Sequence, residues 1–84
     1  MDSRVLIYLE VPAARQSFEV RVPYTVPVGS LLPLFANAAS ELTGGHYTPS
    51  HNEILCSRNL KAPLDERSSL ADYGIANGEH LVFL

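Results

Sequence analysis

The sequence predicts an α+β fold: a mixed sheet of four to five strands with one helix packed on one face. Two segments near the start alternate apolar and polar residues with a period of two, which is typical of strands. A middle segment changes to helical spacing, and short apolar segments follow it. Because no linker, repeat or low-complexity tract interrupts the chain, residues 1–84 are expected to form a single domain.

The two opening strands are predicted to form a β-hairpin. In residues 4–11, alternate positions are apolar and share one face: Val5, Ile7, Leu9 and Val11. Residues 12–16 supply a short connection. Phe18, Val20 and Val22 then alternate with charged residues, as in a strand that has one face in water.

A helix is predicted to follow Ser30, which we expect to be its N-cap. The stripe expected to face the sheet is Leu31, Leu34, Phe35, Ala38, Ala39 and Leu42. Pro33 would fall in the first turn, where its missing N–H costs no intrahelical hydrogen bond. Gly44-Gly45 is suited to the end of the helix, since a C-cap often needs positive φ.

The last part of the chain predicts short elements. Residues 53–57 have the composition of a third strand, and Arg58-Asn59 turns the chain into a short apolar strand at Leu60. Residues 70–73 resemble a single helical turn that Gly74 stops. Asn77-Gly78 then turns the chain into a final strand, which we expect in the middle of the sheet beside the first.

Composition excludes several function classes. With nine acidic residues against six Lys and Arg, the net charge is −3, so the chain lacks the basic stripe that nucleic acid requires. No apolar run approaches the roughly 20 residues that span a bilayer, and no signal peptide pattern opens the chain. We therefore expect a cytoplasmic protein. Its single cysteine, Cys56, is expected to be a small buried residue of a strand.

Residues that could carry catalysis or bind metal do not form a known pattern. His46 and His51 lack a Cys or acidic partner at zinc spacing, and His80 stands apart from them. No serine lies in a nucleophile elbow, and no glycine-rich phosphate loop is present. Asp65-Glu66 and Asp72 are better explained by loop solvation and turn capping than by acid–base chemistry. The sequence predicts no enzyme, no cofactor and no metal site.

The outer face of the predicted sheet is the candidate binding site. If alternate residues of the first strand face the helix, the intervening ones point away from it, and the final strand adds further apolar side chains there. The expected protein-binding residues are Leu6, Tyr8, Ile54, Val82 and Leu84. Glu10 and Arg21 would lie beside this patch. Exposed apolar patches often mark partner sites, and this one could also serve a homodimer.

The order of elements along nearly the whole chain resembles that of ubiquitin, and at residue level the resemblance is concentrated in Leu70-Ala-Asp-Tyr-Gly-Ile75 and in Leu81-Val-Phe-Leu84. The resemblance implies a β-grasp fold. It does not imply conjugation or sulfur transfer, because the only Gly-Gly pair lies in mid-chain and not in a terminal tail.

A closer resemblance is to the YukD-like proteins of bacterial type VII secretion systems. It lies in residues 20–27, residues 28–38 and the stretch from Leu70 to Leu81, which carries a Gly-Ile-x-Asn-Gly pattern. The resemblance implies a cytoplasmic, non-catalytic accessory protein that binds components of the secretion machinery, peripheral to the membrane. Two alternatives stay open: the ubiquitin-like N-terminal domain of a larger membrane channel component, and an accessory subunit of a multicomponent enzyme such as an oxygenase.

Overall fold

The computed structural model describes residues 3–50 and 52–84, which form one five-stranded sheet with one α-helix against it. The elements in chain order are β1 (Arg4–Val11), β2 (Gln16–Pro23), α1 (Val28–Leu42), β3 (Leu55–Ser57), β4 (Ala62–Pro63) and β5 (Glu79–Phe83). A 3-10 turn, Pro12–Ala14, joins β1 to β2. The strand order is β2-β1-β5-β3-β4, which confirms the predicted fold class.

The pairing of β5 sets the topology of the sheet. β5 lies parallel to β1, with Leu9 opposite Leu81, and antiparallel to β3, with Leu55 opposite Phe83. β1 and β2 form the predicted antiparallel hairpin in an unbroken register. The predicted central position of the last strand is therefore confirmed.

The core lies between the sheet and α1. Its fully buried large side chains are Phe83, Ile7, Leu9, Leu31, Leu55, Leu70, Leu81, Val11 and Val28. The Phe83 ring packs edge-on against Phe35, with centroids 6.0 Å apart, and 5.7 Å from the ring of Tyr47. Strand alternation places these residues on one face of the sheet, and α1 covers them.

The predicted start of the helix is wrong. α1 begins at Val28 after Pro27, so Ser30 is its third residue and not its N-cap. The first helical N–H groups bond to a distant segment instead: Val28 N donates to the Ser68 carbonyl at 2.8 Å and Gly29 N to the Glu66 carbonyl at 2.9 Å. A tertiary contact thus replaces the side-chain cap that the local sequence suggested.

Pro33 also lies deeper in the helix than predicted, as its sixth residue and not in its first turn. A proline there cannot donate to the carbonyl four residues earlier, so α1 forms without that hydrogen bond. Packing of its buried face compensates.

The predicted helix stripe is partly wrong. The buried residues of α1 are Val28, Leu31, Leu32, Phe35, Ala36 and Ala39. Leu34 is 57% exposed, because it lies about 130° around the helix axis from the centre of that face. Leu42 is 53% exposed as the last residue of the helix, and Ala38 is half-buried. The helix has two overlapping apolar stripes, and the one that packs against the sheet is the one that begins at Val28.

The loop after α1 is held by buried polar contacts. Gly44 and Gly45 both have positive φ, as predicted for the end of the helix. Thr43 Oγ1 donates to the Ala39 carbonyl at 2.7 Å and accepts from Tyr47 N at 3.0 Å. The Tyr47 hydroxyl in turn donates to Glu53 Oε2 at 2.7 Å. This chain of bonds fixes the aromatic ring of Tyr47 over the core.

The short elements differ in their bounds from the prediction. β3 begins at Leu55 and not at residue 53, and the short strand is Ala62–Pro63, whereas Leu60 lies in a turn and is 51% exposed. The turn at residues 69–75 is as predicted. Ser69 and Asp72 exchange side-chain to backbone hydrogen bonds, Gly74 has φ of 65°, and Ile75 points into the core.

Candidate protein-binding face

The sheet face opposite α1 is built from three adjacent strands. In β1, the residues between the core positions are Leu6, Tyr8 and Glu10. β5 adds His80 and Val82, and β3 adds Cys56, because residues directly opposite each other share a face. No helix covers this open face in the described part of the chain.

Four side chains form an apolar corner at one end of the open face: Ile54, Cys56, Val82 and Leu84. Cys56 lies opposite Val82 in the sheet, and the pairing continues beyond the strands, since Ile54 N and Leu84 N each donate to the other residue's carbonyl, at 3.0 and 2.9 Å. Ile54 is 44% exposed and Leu84 54%. Three of the predicted binding residues therefore meet here. Cys56, expected to be buried, is half-buried in this corner.

An ionic bridge, formed by Glu10 and Arg58, crosses the open face. Arg58 Nε and Nη2 donate to the two carboxylate oxygens of Glu10, at 2.5 and 2.7 Å. Glu10 lies on β1 and Arg58 directly follows β3, so the pair spans β5 between His80 and Val82. The hydrogen bonds from Arg58 hold the pKa of Glu10 below its ordinary value, against the opposing effect of partial burial. The bridge divides the predicted patch.

Leu6 and Tyr8 lie on the other side of the bridge. The Tyr8 ring stacks on His80, with centroids 4.9 Å apart and planes at 22°. His80 Nδ1 also approaches Glu10 Oε2 at 3.3 Å. Leu6 lies opposite Arg21 of β2, as the prediction of a neighbouring Arg21 required. Leu6 and Tyr8 are half-buried, and the polar side chains of Arg21, His80 and Glu10 adjoin them, so this half of the face is more polar than the apolar corner.

Sequence reasoning missed Arg58 and His80. His80 could have been placed on the open face by its alternation with Val82. Arg58 carried no such signal, because it stands 48 residues from Glu10 and reaches it only through the register of β3. The effect of each predicted residue on binding stays a prediction.

The other candidates stay apart from the open face. Among residues 3–50 and 52–84, no three His, Cys, Asp or Glu side chains are grouped so as to hold a metal ion. His46 is exposed, and His51 lies outside the described residues. Asp72 caps the 69–75 turn, and Asp65 Oδ1 accepts from Arg67 N at 2.9 Å, as the structural interpretation of these acids predicted. In the same described ranges, no helix has the length and apolarity to cross a membrane.

Comparison with known proteins places this geometry in a family. Residues 4–83 match the family described as WXG100 protein secretion system (Wss), protein YukD. The comparison with curated proteins returns no match.

Solved structures of the same fold include domains from secretion systems. The ubiquitin-like domain of the type VII secretion protein EccD1 of Mycobacterium tuberculosis is 17% identical, with a TM-score of 0.77 over 96% of this chain and 97% of that one. The EccD5 ubiquitin-like domain of Mycobacterium xenopi is 17% identical, with a TM-score of 0.74 over 96% and 92%. A chain of the MycP5-free ESX-5 inner membrane complex is 20% identical, with a TM-score of 0.72, and the match covers 98% of this chain and 21% of that one.

These similarities confirm the ubiquitin-like β-grasp fold, and the match over residues 4–83 decides the family. The protein belongs to the YukD family of the WXG100, or type VII, secretion system.

Proposed function

We propose that the protein is a non-catalytic accessory of a type VII secretion system, which binds a component of the machinery through the open face of its sheet. The apolar corner carries this proposal. Ile54 and Leu84 are exposed there next to Val82, and no described element covers them. A partner that buries these side chains gains about 25 cal/mol for each Å² of apolar surface removed from water.

In this proposal the two areas on either side of the ionic bridge contribute differently to binding. The apolar corner supplies the anchor, because in most interfaces truncating a few central residues removes most of the binding energy. Leu6 and Tyr8, beyond the bridge, form a second contact. The partner accordingly presents an apolar anchor flanked by groups that hydrogen-bond to Glu10 and Arg58. In this proposal the protein is cytoplasmic and acts at the membrane-bound machinery.

A second candidate is that the same fold serves as a domain of a larger channel component. The observation that favours it is the match to about a fifth of a chain in the ESX-5 inner membrane complex. In that case the open face would bind within the assembly. The full-length reading frame around residues 1–84 distinguishes the two candidates.

The test is a binding assay with the purified secretion ATPase and channel components of the same operon. We expect Ile54→Asp combined with Val82→Asp to weaken binding at least about 30-fold, and Tyr8→Asp to weaken it less. Leu34→Asp is the control, because Leu34 is an apolar residue more exposed than Ile54, 57% against 44%, but lies on α1. Circular dichroism establishes that each variant is folded. Equal losses from Leu34→Asp, or no binding of any component to the wild type, would contradict the proposal.

A further inference from the structure

The sheet has two edges, and they are built differently. At one edge, β4 is only two residues long and ends in Pro63, which has no N–H to offer to another strand. At the other edge, β2 is eight residues long, with its only proline at the last position, Pro23. Natural proteins commonly blunt exposed edges with prolines, bulges or covering segments. β2 pairs with β1 without a bulge, and no other described strand pairs with it.

The free hydrogen-bonding groups on β2 can be assigned from its partner strand. Leu6 uses both backbone polar groups on the β5 side: its N–H donates to Asn77 Oδ1 and its carbonyl accepts from Gly78 N, each at 2.8 Å. Leu6 and Arg21 are therefore a non-hydrogen-bonded pair of the hairpin. By alternation, the N–H and carbonyl groups of Ser17, Glu19 and Arg21 point away from β1, toward the open edge.

The side chains of β2 are complementary to a second copy of the same strand. Glu19 and Arg21 are exposed on the open face and take part in no ion pair among the described residues. In an antiparallel pair centred on Val20, Glu19 of each copy lies opposite Arg21 of the other, and both residues present their free backbone groups to each other. A shift by two residues would place Glu19 against Glu19 or Arg21 against Arg21, so charge selects one register.

The other face of β2 supports the same register. Phe18 and Val20 are only half-buried, although they pack against the core. In the register centred on Val20, Phe18 of one copy lies opposite Val22 of the other, and the two Val20 side chains meet at the axis. Pairing therefore covers the apolar surface that the hairpin leaves at the edge.

We propose that the protein forms a two-fold symmetric homodimer through the antiparallel pairing of β2 with β2 of a second copy, in the register that places Glu19 opposite Arg21. The result is one continuous ten-stranded sheet with both helices on the same side. The apolar corner lies at β5 and β3, which β1 separates from the new interface, and it stays open in both copies. A contact of one strand is at the small end of specific interfaces, so we expect a dimer that dissociates on dilution in the micromolar range.

The test uses charge swaps in sedimentation velocity over a concentration series. We expect Glu19→Arg and Arg21→Glu each to weaken dimerisation about tenfold, because like charges then face each other twice in the interface. An equimolar mixture of these two variants should form a heterodimer with about the affinity of the wild-type dimer, since each Arg then lies opposite a Glu. Glu41→Arg, on the exposed side of α1, changes the net charge by the same amount as Glu19→Arg and should have no effect.

Hydrogen exchange measured by NMR shows whether the outer edge of β2 is the part of the chain that pairs. The amides of Glu19 and Arg21 should exchange more slowly as the concentration rises, whereas those of Val20 and Val22, which face β1, should not change. A wild type that stays monomeric at millimolar concentration would overturn the proposal. So would a dimer that tolerates both single swaps, or protection that appears elsewhere in the chain.

Discussion

The two faces of the sheet share their strands but differ in what organises their side chains. On the face toward α1, β1 contributes Val5, Ile7, Leu9 and Val11 and β5 contributes Leu81 and Phe83, all of them apolar and buried in one core. On the open face, the same strands carry a stacked Tyr8–His80 pair, an ionic bridge and an apolar corner. Burial alone specifies the first face. The second depends on individual contacts.

The largest test of this comparison is a matched pair of truncations on β5. Phe83→Ala should lower the free energy of unfolding by about 3–5 kcal/mol, since it removes a fully buried ring that packs on Phe35 and Tyr47. Val82→Ala, one residue away on the open face, should cost less than about 1 kcal/mol. Urea denaturation measures both. Similar losses would show that the open face contributes to stability as the core does.

A smaller effect is expected from a buried polar group on the core side. Thr43→Val keeps the shape of the side chain but leaves the N–H of Tyr47 without its acceptor. We expect a loss of about 1–3 kcal/mol, the cost of a buried donor with no partner. Thr48→Val, at an exposed position in the same loop, is the control. If thermal denaturation of the two variants coincides, the Thr43 hydroxyl does not hold the loop.

The smallest effect concerns the ionic bridge and depends on pH. The folded-state pKa of Glu10 lies below its ordinary value of 4.5, so the stabilisation is complete above that pH and is lost as the pH falls through the lowered pKa. The wild type should therefore be more stable than Glu10→Gln near pH 7, and the difference should shrink as the pH falls below 4.5. Chemical denaturation at several pH values measures this difference.

Glu41→Gln, at an exposed position of α1, is the control for the loss of one carboxylate, because Glu41 has no ion pair among the described residues. Added salt should also narrow the gap between the wild type and Glu10→Gln, since Arg58 is exposed to solvent. A gap that stays constant as the pH falls well below 4.5 would mean that Glu10 stabilises the fold by packing and not by charge.

The contrast between the faces also explains what the sequence could predict. Alternation of apolar residues located β1, β2 and the core positions of β5, because burial leaves a periodic signal. The start of α1 could not be found in this way, since Val28 and Gly29 bond to carbonyls at residues 66–68. Gly29 fits there because a Cβ would lie 3.2 Å from the Glu66 carbonyl oxygen, a constraint that no local pattern records.

The residues of the open face were predictable from the sequence, but their arrangement was not. Period two was enough to place Leu6, Tyr8 and Val82 on one side of the sheet. It could not show that Arg58 would bind Glu10 and so separate Leu6 and Tyr8 from Val82. That contact depends on the relative register of β1, β5 and β3.

The central position of β5 has a consequence for how the chain folds. The β1–β2 hairpin can form from contacts close in sequence, but β3 and β4 join it only through β5. During synthesis, the sheet therefore stays in two separate parts until residues 79–83 have left the ribosome. Closing it requires the parallel pairing of β1 with β5, a contact between distant segments of the kind that slows folding. The sheet is thus completed at its centre, by β5, and not at its edge.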